Sequence, residues 1–257
     1  MKLLLDLGNS RLKWAWTSAD GLVQSGSAIH RDQDLVTVLA EPFRSSVPPV
    51  EVRVANVAGP AAGNLVAEAI YTRFGVKPIF ARSRDSAYGL SNGYRDPGQL
   101  GIDRWLAMCA AWQKFSGPLC LVDAGTAVTI DAITVEGVHC GGLILPGINL
   151  MEAALRQETG DLDRIGGPEL SRDLQAILVS GRGALGTDTA SAIQLGAIRA
   201  LAALVADCLA KLNDGAKLVL TGGDGALLAE LMGGPYAYNP HLVLEGLALD
   251  PACYSVA

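Results

Sequence analysis

Short apolar, β-prone runs at residues 2–7, 11–17 and 21–29, separated by Gly8-Asn9 and Asp20-Gly21, predict three strands joined by tight turns. A helix is expected over about 32–44, ended by Ser45-Ser46 and Pro48-Pro49. Residues 51–57 alternate as a strand, followed by a helix near 60–73 and a strand near 77–80. Residues 82–100 are polar and rich in Gly, Asn, Asp and Pro, the pattern of an ordered loop or lid. A helix then opens near Gly101 and runs to about 115. From Leu119 the strand pattern resumes to about 145, where Pro146-Gly147 breaks it. Helices are expected near 148–158 and 189–213, the second apolar on more than one face and therefore buried. A strand at 217–221 meets Gly222-Gly223, and helices at 225–232 and 244–250 follow.

The strand pattern occurs twice. Leu-Leu-Asp-Leu-Gly-Asn-Ser, with Asp6 and Gly8, is echoed by Leu-Val-Asp-Ala-Gly-Thr-Ala, with Asp123 and Gly125. Each copy is an apolar strand, Asp-x-Gly, a small polar residue and a second β-prone stretch. The copies lie almost half a chain apart, which implies two related domains, 1–116 and 117–257, rather than a solenoid.

Composition narrows the function classes. The chain has 257 residues, is 50% hydrophobic and 18% charged, and carries a net charge of −6, so it can bury a substantial core and is a poor nucleic-acid or anionic-membrane binder. No signal peptide is visible. The most apolar stretch, 197–212, is interrupted by Arg199, Asp207 and Lys211, so no membrane span and a cytoplasmic location are expected. Cys109, Cys120, Cys140, Cys208 and Cys253 lack metal or redox spacing and read as reduced thiols. His30, His139 and His241 are scattered without metal-ligand spacing. Trp14, Trp16, Trp105 and Trp112 fit core packing.

The repeat also carries chemistry. Backbone N–H groups at tight glycine turns hold phosphates, and a neighbouring carboxylate holds a cation directly or through water. Gly8, Asn9 and Ser10 suit the phosphate task, with Arg11 or Lys13 supplying positive charge and Asp6 the carboxylate; Gly125 and Thr126 repeat the phosphate task. Thr221-Gly222-Gly223 leaves a flat backbone on which adenine can lie, or else is a plain strand-to-helix turn capped by Asp224. Gly101-Ile102-Asp103-Arg104 opens a helix. Asp103 there is either a solvated first-turn acid or the carboxylate that takes a hydroxyl proton in phosphoryl transfer, with Arg104 binding an acidic substrate or the moving phosphoryl group. Gly186-Thr-Asp-Thr189 precedes a long helix, where capping and anion binding are compatible.

Six segments in order resemble the type III pantothenate kinases, the family that includes the Bvg accessory factor proteins. They are Asp6-Leu-Gly-Asn-Ser, Gly89-Leu-Ser-Asn-Gly-Tyr94, Gly101-Ile-Asp-Arg104, Asp123-Ala-Gly-Thr-Ala127, Gly141-Gly-Leu-Ile-Leu-Pro-Gly147 and Thr221-Gly-Gly223, and the likeness runs to Leu-Glu-Gly-Leu at 244–247. The resemblance implies an α/β fold of the duplicated actin-like, Hsp70-like (ribonuclease H-like) kind with two facing domains. It also implies a homodimer that completes the substrate pocket near its interface. The implied reaction is ATP-dependent phosphorylation of pantothenate, the first step toward coenzyme A, with Mg2+ accompanying ATP and a monovalent cation, K+ or NH4+. Asp6, Leu7, Gly8, Asn9, Ser10, Arg11, Leu12, Lys13 and Thr126 would contact ATP, and Asp123 would bind the monovalent cation. Tyr94, Gly101, Ile102, Asp103, Arg104 and Thr189 would contact pantothenate, with Asp103 as the base. Ser10 replaces the family's frequent threonine, and Gly186-Thr-Asp-Thr189 replaces Gly-Arg-Asn-Thr, losing a positive charge. Two other readings compete: a non-catalytic nucleotide-binding regulator, and a phosphohydrolase in which Asp103 activates water.

Overall fold

Two five-stranded sheets repeat one strand order. In a computed structural model describing residues 1–19, 21–31, 33–45, 47–158, 185–212 and 215–249, β1 (Lys2–Leu7), β2 (Arg11–Ser18), β3 (Gly21–Ile29), β4 (Glu51–Asn56) and β5 (Ile79–Phe80) form the first sheet, ordered β3-β2-β1-β4-β5. A small hairpin, β6 (Ser86–Ala87) and β7 (Leu90–Ser91), stands apart. The second sheet, from β8 (Leu119–Ala124), β9 (Ala127–Ile133), β10 (His139–Pro146), β11 (Lys217–Thr221) and β12 (Tyr236–Tyr238), is ordered β10-β9-β8-β11-β12. In both, the first two strands pair antiparallel and the fourth and fifth add in parallel. The repeat read in the sequence is thus a repeat of topology.

Among the described residues the helices are α1 (Leu35–Leu39), α2 (Pro60–Phe74), α3 (Ile102–Lys114), α4 (Ile148–Glu158), α5 (Thr189–Lys211), α6 (Gly225–Met232) and α7 (Leu242–Ala248). The expected helix over 32–44 is shorter. Asp34 caps its start by accepting the Val36 N–H, and Pro42, which has no N–H to donate, hands the chain to a 3-10 turn at Pro42–Arg44. α5 is not buried all round: Leu195, Ile198, Leu201 and Val205 form one buried stripe, and a third of its most apolar stretch, of mean hydropathy 1.7, is buried. By length and composition α5 could cross a membrane, but its stripe belongs to the core around Val122, Val128 and Leu220.

The chain divides into two compact units. Unit 1 holds 1–116, 137–139 and 241–257; unit 2 holds 117–136 and 140–240. The C-terminal helix therefore sits with unit 1, whereas a division at 116/117 places it in the other half. The cause is local: a Cβ on Gly246 of α7 would come within 2.3 Å of the Leu106 carbonyl oxygen, so glycine lets α7 lie directly against α3. The core of unit 1 gathers Leu3, Leu5, Leu7, Leu12, Trp14 and Trp16 beneath α1 and α2, which accounts for two of the tryptophans as packing residues.

Candidate active site

On β1, Leu3, Leu5 and Leu7 face the core, so strand alternation turns Asp6 to the opposite face. Asp6 is buried at the end of the strand and is paired in register with Lys13 of β2, which puts carboxylate and ammonium side chains on the same face. Between them the chain turns at 8–10, closed by the Gly8 N–H donating to the Arg11 carbonyl at 3.1 Å. The Arg11 guanidinium is engaged with the Ser27 hydroxyl at 3.1 Å, leaving Lys13 as the charge beside Asp6. The turn is gripped from the end of β3. His30 Nε2 lies 2.7 Å from the Gly8 carbonyl oxygen, and the His30 and Arg31 N–H groups donate to the Ser10 carbonyl at 3.0 and 3.2 Å.

The second copy repeats this geometry in unit 2 with a shorter turn. Leu7 pairs with Leu12 in the first hairpin, whereas Ala124 pairs with Val128 in the second, one residue fewer. Thr129 stands opposite Asp123 where Lys13 stands opposite Asp6, so only the first turn carries a lysine. The Gly125 N–H donates to the Ala127 carbonyl at 3.0 Å, and Gly147 donates to the Thr126 carbonyl at 2.9 Å. A Cβ on Gly147 would stand 2.1 Å from the Gly125 carbonyl oxygen, so the absence of a side chain lets Gly147, just after β10, pack against this turn. Thr126 itself is exposed, and Asp123 is half-buried. Gly222, at φ +86°, brings its backbone against Asp123: an added Cβ would lie 2.5 Å from Oδ1. Nothing lies within 4 Å of the Cβ position of Gly223, so the backbone there is open. Asp224 begins α6 without a side-chain capping bond, and its half-buried carboxyl is pushed above its ordinary value by burial.

Returning to unit 1, loop 82–100 is tied internally. Asn92 accepts the Tyr94 N–H at 3.0 Å and donates to the Arg84 and Pro97 carbonyls, and the Ser83 hydroxyl donates to the Leu100 carbonyl at 2.7 Å. This presents Tyr94 to Arg104, whose buried guanidinium donates to the phenol oxygen at 2.7 Å and lies 5.4 Å from the ring centre. Asp103 occupies the first turn of α3, where the helix dipole favours the carboxylate, and its Oδ1 accepts the Arg104 N–H at 2.8 Å. A Cβ on Gly101 would come within 2.7 Å of that oxygen, so the glycine makes room for the acid. Ile102 is buried and anchors the turn. Tyr94, Gly101, Asp103 and Arg104 are thus brought together. Thr189 lies in unit 2, exposed at the start of α5, which Asp188 caps by a reciprocal box with Ser191.

Two histidines without a motif stand at these places. His30 holds the turn at 8–10, and buried His139 stacks on Tyr94 (centroids 5.9 Å, 12° between planes) while its Nδ1 accepts the Gly93 N–H at 3.4 Å. No sequence spacing marks either, because strand pairing and loop closure bring them in from 22 and 46 residues away.

A glycine turn with Asn9 exposed at its tip, beside a lysine, suits a polyphosphate, and the open Gly223 backbone suits a flat base. No group of three or more His, Cys, Asp and Glu able to hold a metal occurs among the described residues. Asp123, a single carboxylate among backbone carbonyls, offers oxygen donors only and suits a weakly held hard cation rather than a transition metal.

Residues 2–211 match the family model for type III pantothenate kinase. A type III pantothenate kinase of Nitrosococcus oceani is 33% identical, with 96% of this chain and 92% of that protein covered. One from Halorhodospira halophila is 35% identical, with 96% of each covered. Among solved structures, a Campylobacter jejuni protein described as a Baf family transcriptional activator aligns with TM-score 0.59 at 23% identity, over 96% of this chain and 95% of that one. A Sinorhizobium meliloti protein described as a 2-dehydro-3-deoxygalactonokinase aligns with TM-score 0.56 at 16% identity, over 96% and 97%. These two likenesses concern the fold, which is the actin-like sugar-kinase fold. With a family model spanning most of its length and relatives a third identical end to end, the chain belongs to the type III pantothenate kinase family.

Proposed function

We propose that the protein transfers the γ-phosphoryl group of ATP to the primary hydroxyl of pantothenate, giving 4'-phosphopantothenate and ADP. The observation that carries this reading is the carboxylate at the start of α3, beside an Arg104–Tyr94 pair, in a chain of this family. Arg104, held by Tyr94, receives the pantothenate carboxylate as a charge-assisted partner. Gly101 and Ile102 shape the floor of that turn, and Thr189 supplies a hydroxyl to the same substrate. Asp103 accepts the hydroxyl proton as the new O–P bond forms and the bond from γ-phosphorus to the β–γ bridging oxygen breaks. Residues 6–13 bind ATP: the free Asn9 N–H of the turn takes a phosphate oxygen, Lys13 adds charge, and Asp6 would hold the accompanying Mg2+ directly or through water. Thr126 contacts the nucleotide, and Asp123 holds a monovalent cation, K+ or NH4+, which would supply positive charge beside the phosphates. We further read the protein as a cytoplasmic homodimer.

The test is ADP release with ATP, Mg2+ and K+, with and without pantothenate, followed by mass analysis of the acceptor. Pantothenate-dependent release with phosphopantothenate formed is expected. ADP without a phosphorylated acceptor would instead indicate a hydrolase, and ATP binding without turnover a regulator. Asp103→Asn is expected to retain ATP binding and lose on the order of a hundredfold or more in kcat; near-normal turnover would remove Asp103 from the mechanism.

A further inference from the structure

We infer that His30 is a positioning residue for the phosphate turn, setting the direction of the Asn9 N–H toward the ATP phosphates. The inference rests on the reading of residues 6–13 as the ATP site.

A carbonyl oxygen can only accept, so the 2.7 Å contact from His30 Nε2 to the Gly8 oxygen requires Nε2 to carry the proton. That bond fixes the plane of the Gly8–Asn9 peptide. In a trans peptide the N–H points opposite to the C=O, and the described chain has no cis peptide bonds. Holding the Gly8 oxygen toward His30 therefore directs the Asn9 N–H away from the end of β3. Asn9 is exposed, and its N–H has no partner among the described residues, so the donor is available to a ligand. The Ser10 carbonyl is drawn the same way by the His30 and Arg31 N–H groups. The Gly8 and Ser10 carbonyls are thereby taken up on the β3 side, where they do not oppose an anion on the other.

The backbone bonds at Ser10 do not depend on the residue type at 30, whereas the bond to Gly8 needs a side chain that donates at the distance of Nε2. Glutamine places an amide nitrogen at about that distance and alanine places nothing. His30→Ala is expected to raise the KM for ATP about three- to tenfold, the range of one lost hydrogen bond, with the KM for pantothenate unchanged. His30→Gln is expected to restore it. An ATP KM within twofold of wild type in His30→Ala would overturn the inference. So would an equal rise in both KM values, or a loss that glutamine does not restore, since either would mean general collapse of the turn. Gly8→Val separates this from its premise. If Gly8→Val weakens ATP binding and His30→Ala does not, only the His30 role fails. If neither weakens it, residues 6–13 are not the phosphate site and both readings fall.

Discussion

Asp224 stands where strand β11 ends, at the head of α6, half-buried and without the capping bond that an aspartate there usually makes. Burial holds its carboxyl above the ordinary value of 3.8. The folded state thus binds this proton more tightly than the unfolded chain does. The stabilisation is complete below the unfolded value and is lost as pH rises through the folded one. Once the pH exceeds the folded value the ionised Asp224 opposes folding, and Asp224→Asn is expected to raise Tm there. The gain should shrink as the pH falls toward 4, because both proteins then carry a neutral group. Thermal melts of the two proteins across that range test this, and a pH-independent gain would remove burial as the cause. Single residues also mark what a sequence can convey about the site. Residues 6–13 and 101–104 are contiguous, and their glycines announce turns, so they are legible as motifs. His30 and His139 act through contacts made only when β3 and β10 are in place, and no local pattern encodes that.

At the scale of elements, glycines decide how closely helices and turns approach. Gly246 is the sharpest case: its missing side chain lets α7 rest on the Leu106 carbonyl of α3. Gly246→Ala would force the two helices apart and is expected to cost about 1–3 kcal/mol, the usual range for overpacking a tight contact. Chemical denaturation reads that directly, and an unchanged midpoint would show that α7 can shift at no cost. The strands β1 to β4 are legible almost to the residue because glycine turns or prolines bound them. β12 is missed because three residues, Tyr-Ala-Tyr, are too few for a period and become a strand only by pairing with β11. The α1 region reads too long because its apolar spacing continues through Pro42, where the backbone can no longer do so.

For the whole molecule, topology was legible through the duplication, but the path of the chain was not. Assignment of 137–139 and of α7 to unit 1 depends on contacts far apart in sequence. Leu143, Ile144 and Leu150 are exposed on unit 2, large apolar side chains of the kind a second copy would cover. Sedimentation should therefore give twice the 26.7 kDa chain mass, and Ile144→Asp should shift it toward the monomer; a wild-type monomer at micromolar concentration would count against the homodimer. Arg53 adds a constraint of another kind. Buried on β4, it pairs with Glu51 and donates through Nη1 to the carbonyls of Leu247 and Leu249 at the end of α7. The strands of unit 2 are all encoded by residue 240, whereas unit 1 needs residues 241–249 to satisfy its own buried arginine. On the ribosome the order of birth and the order of completion are thus reversed. The turn at 8–10 emerges before unit 2, yet its own unit is closed only after unit 2, so a chain that stalls before residue 241 would carry residues 6–13 without the support that keeps them folded.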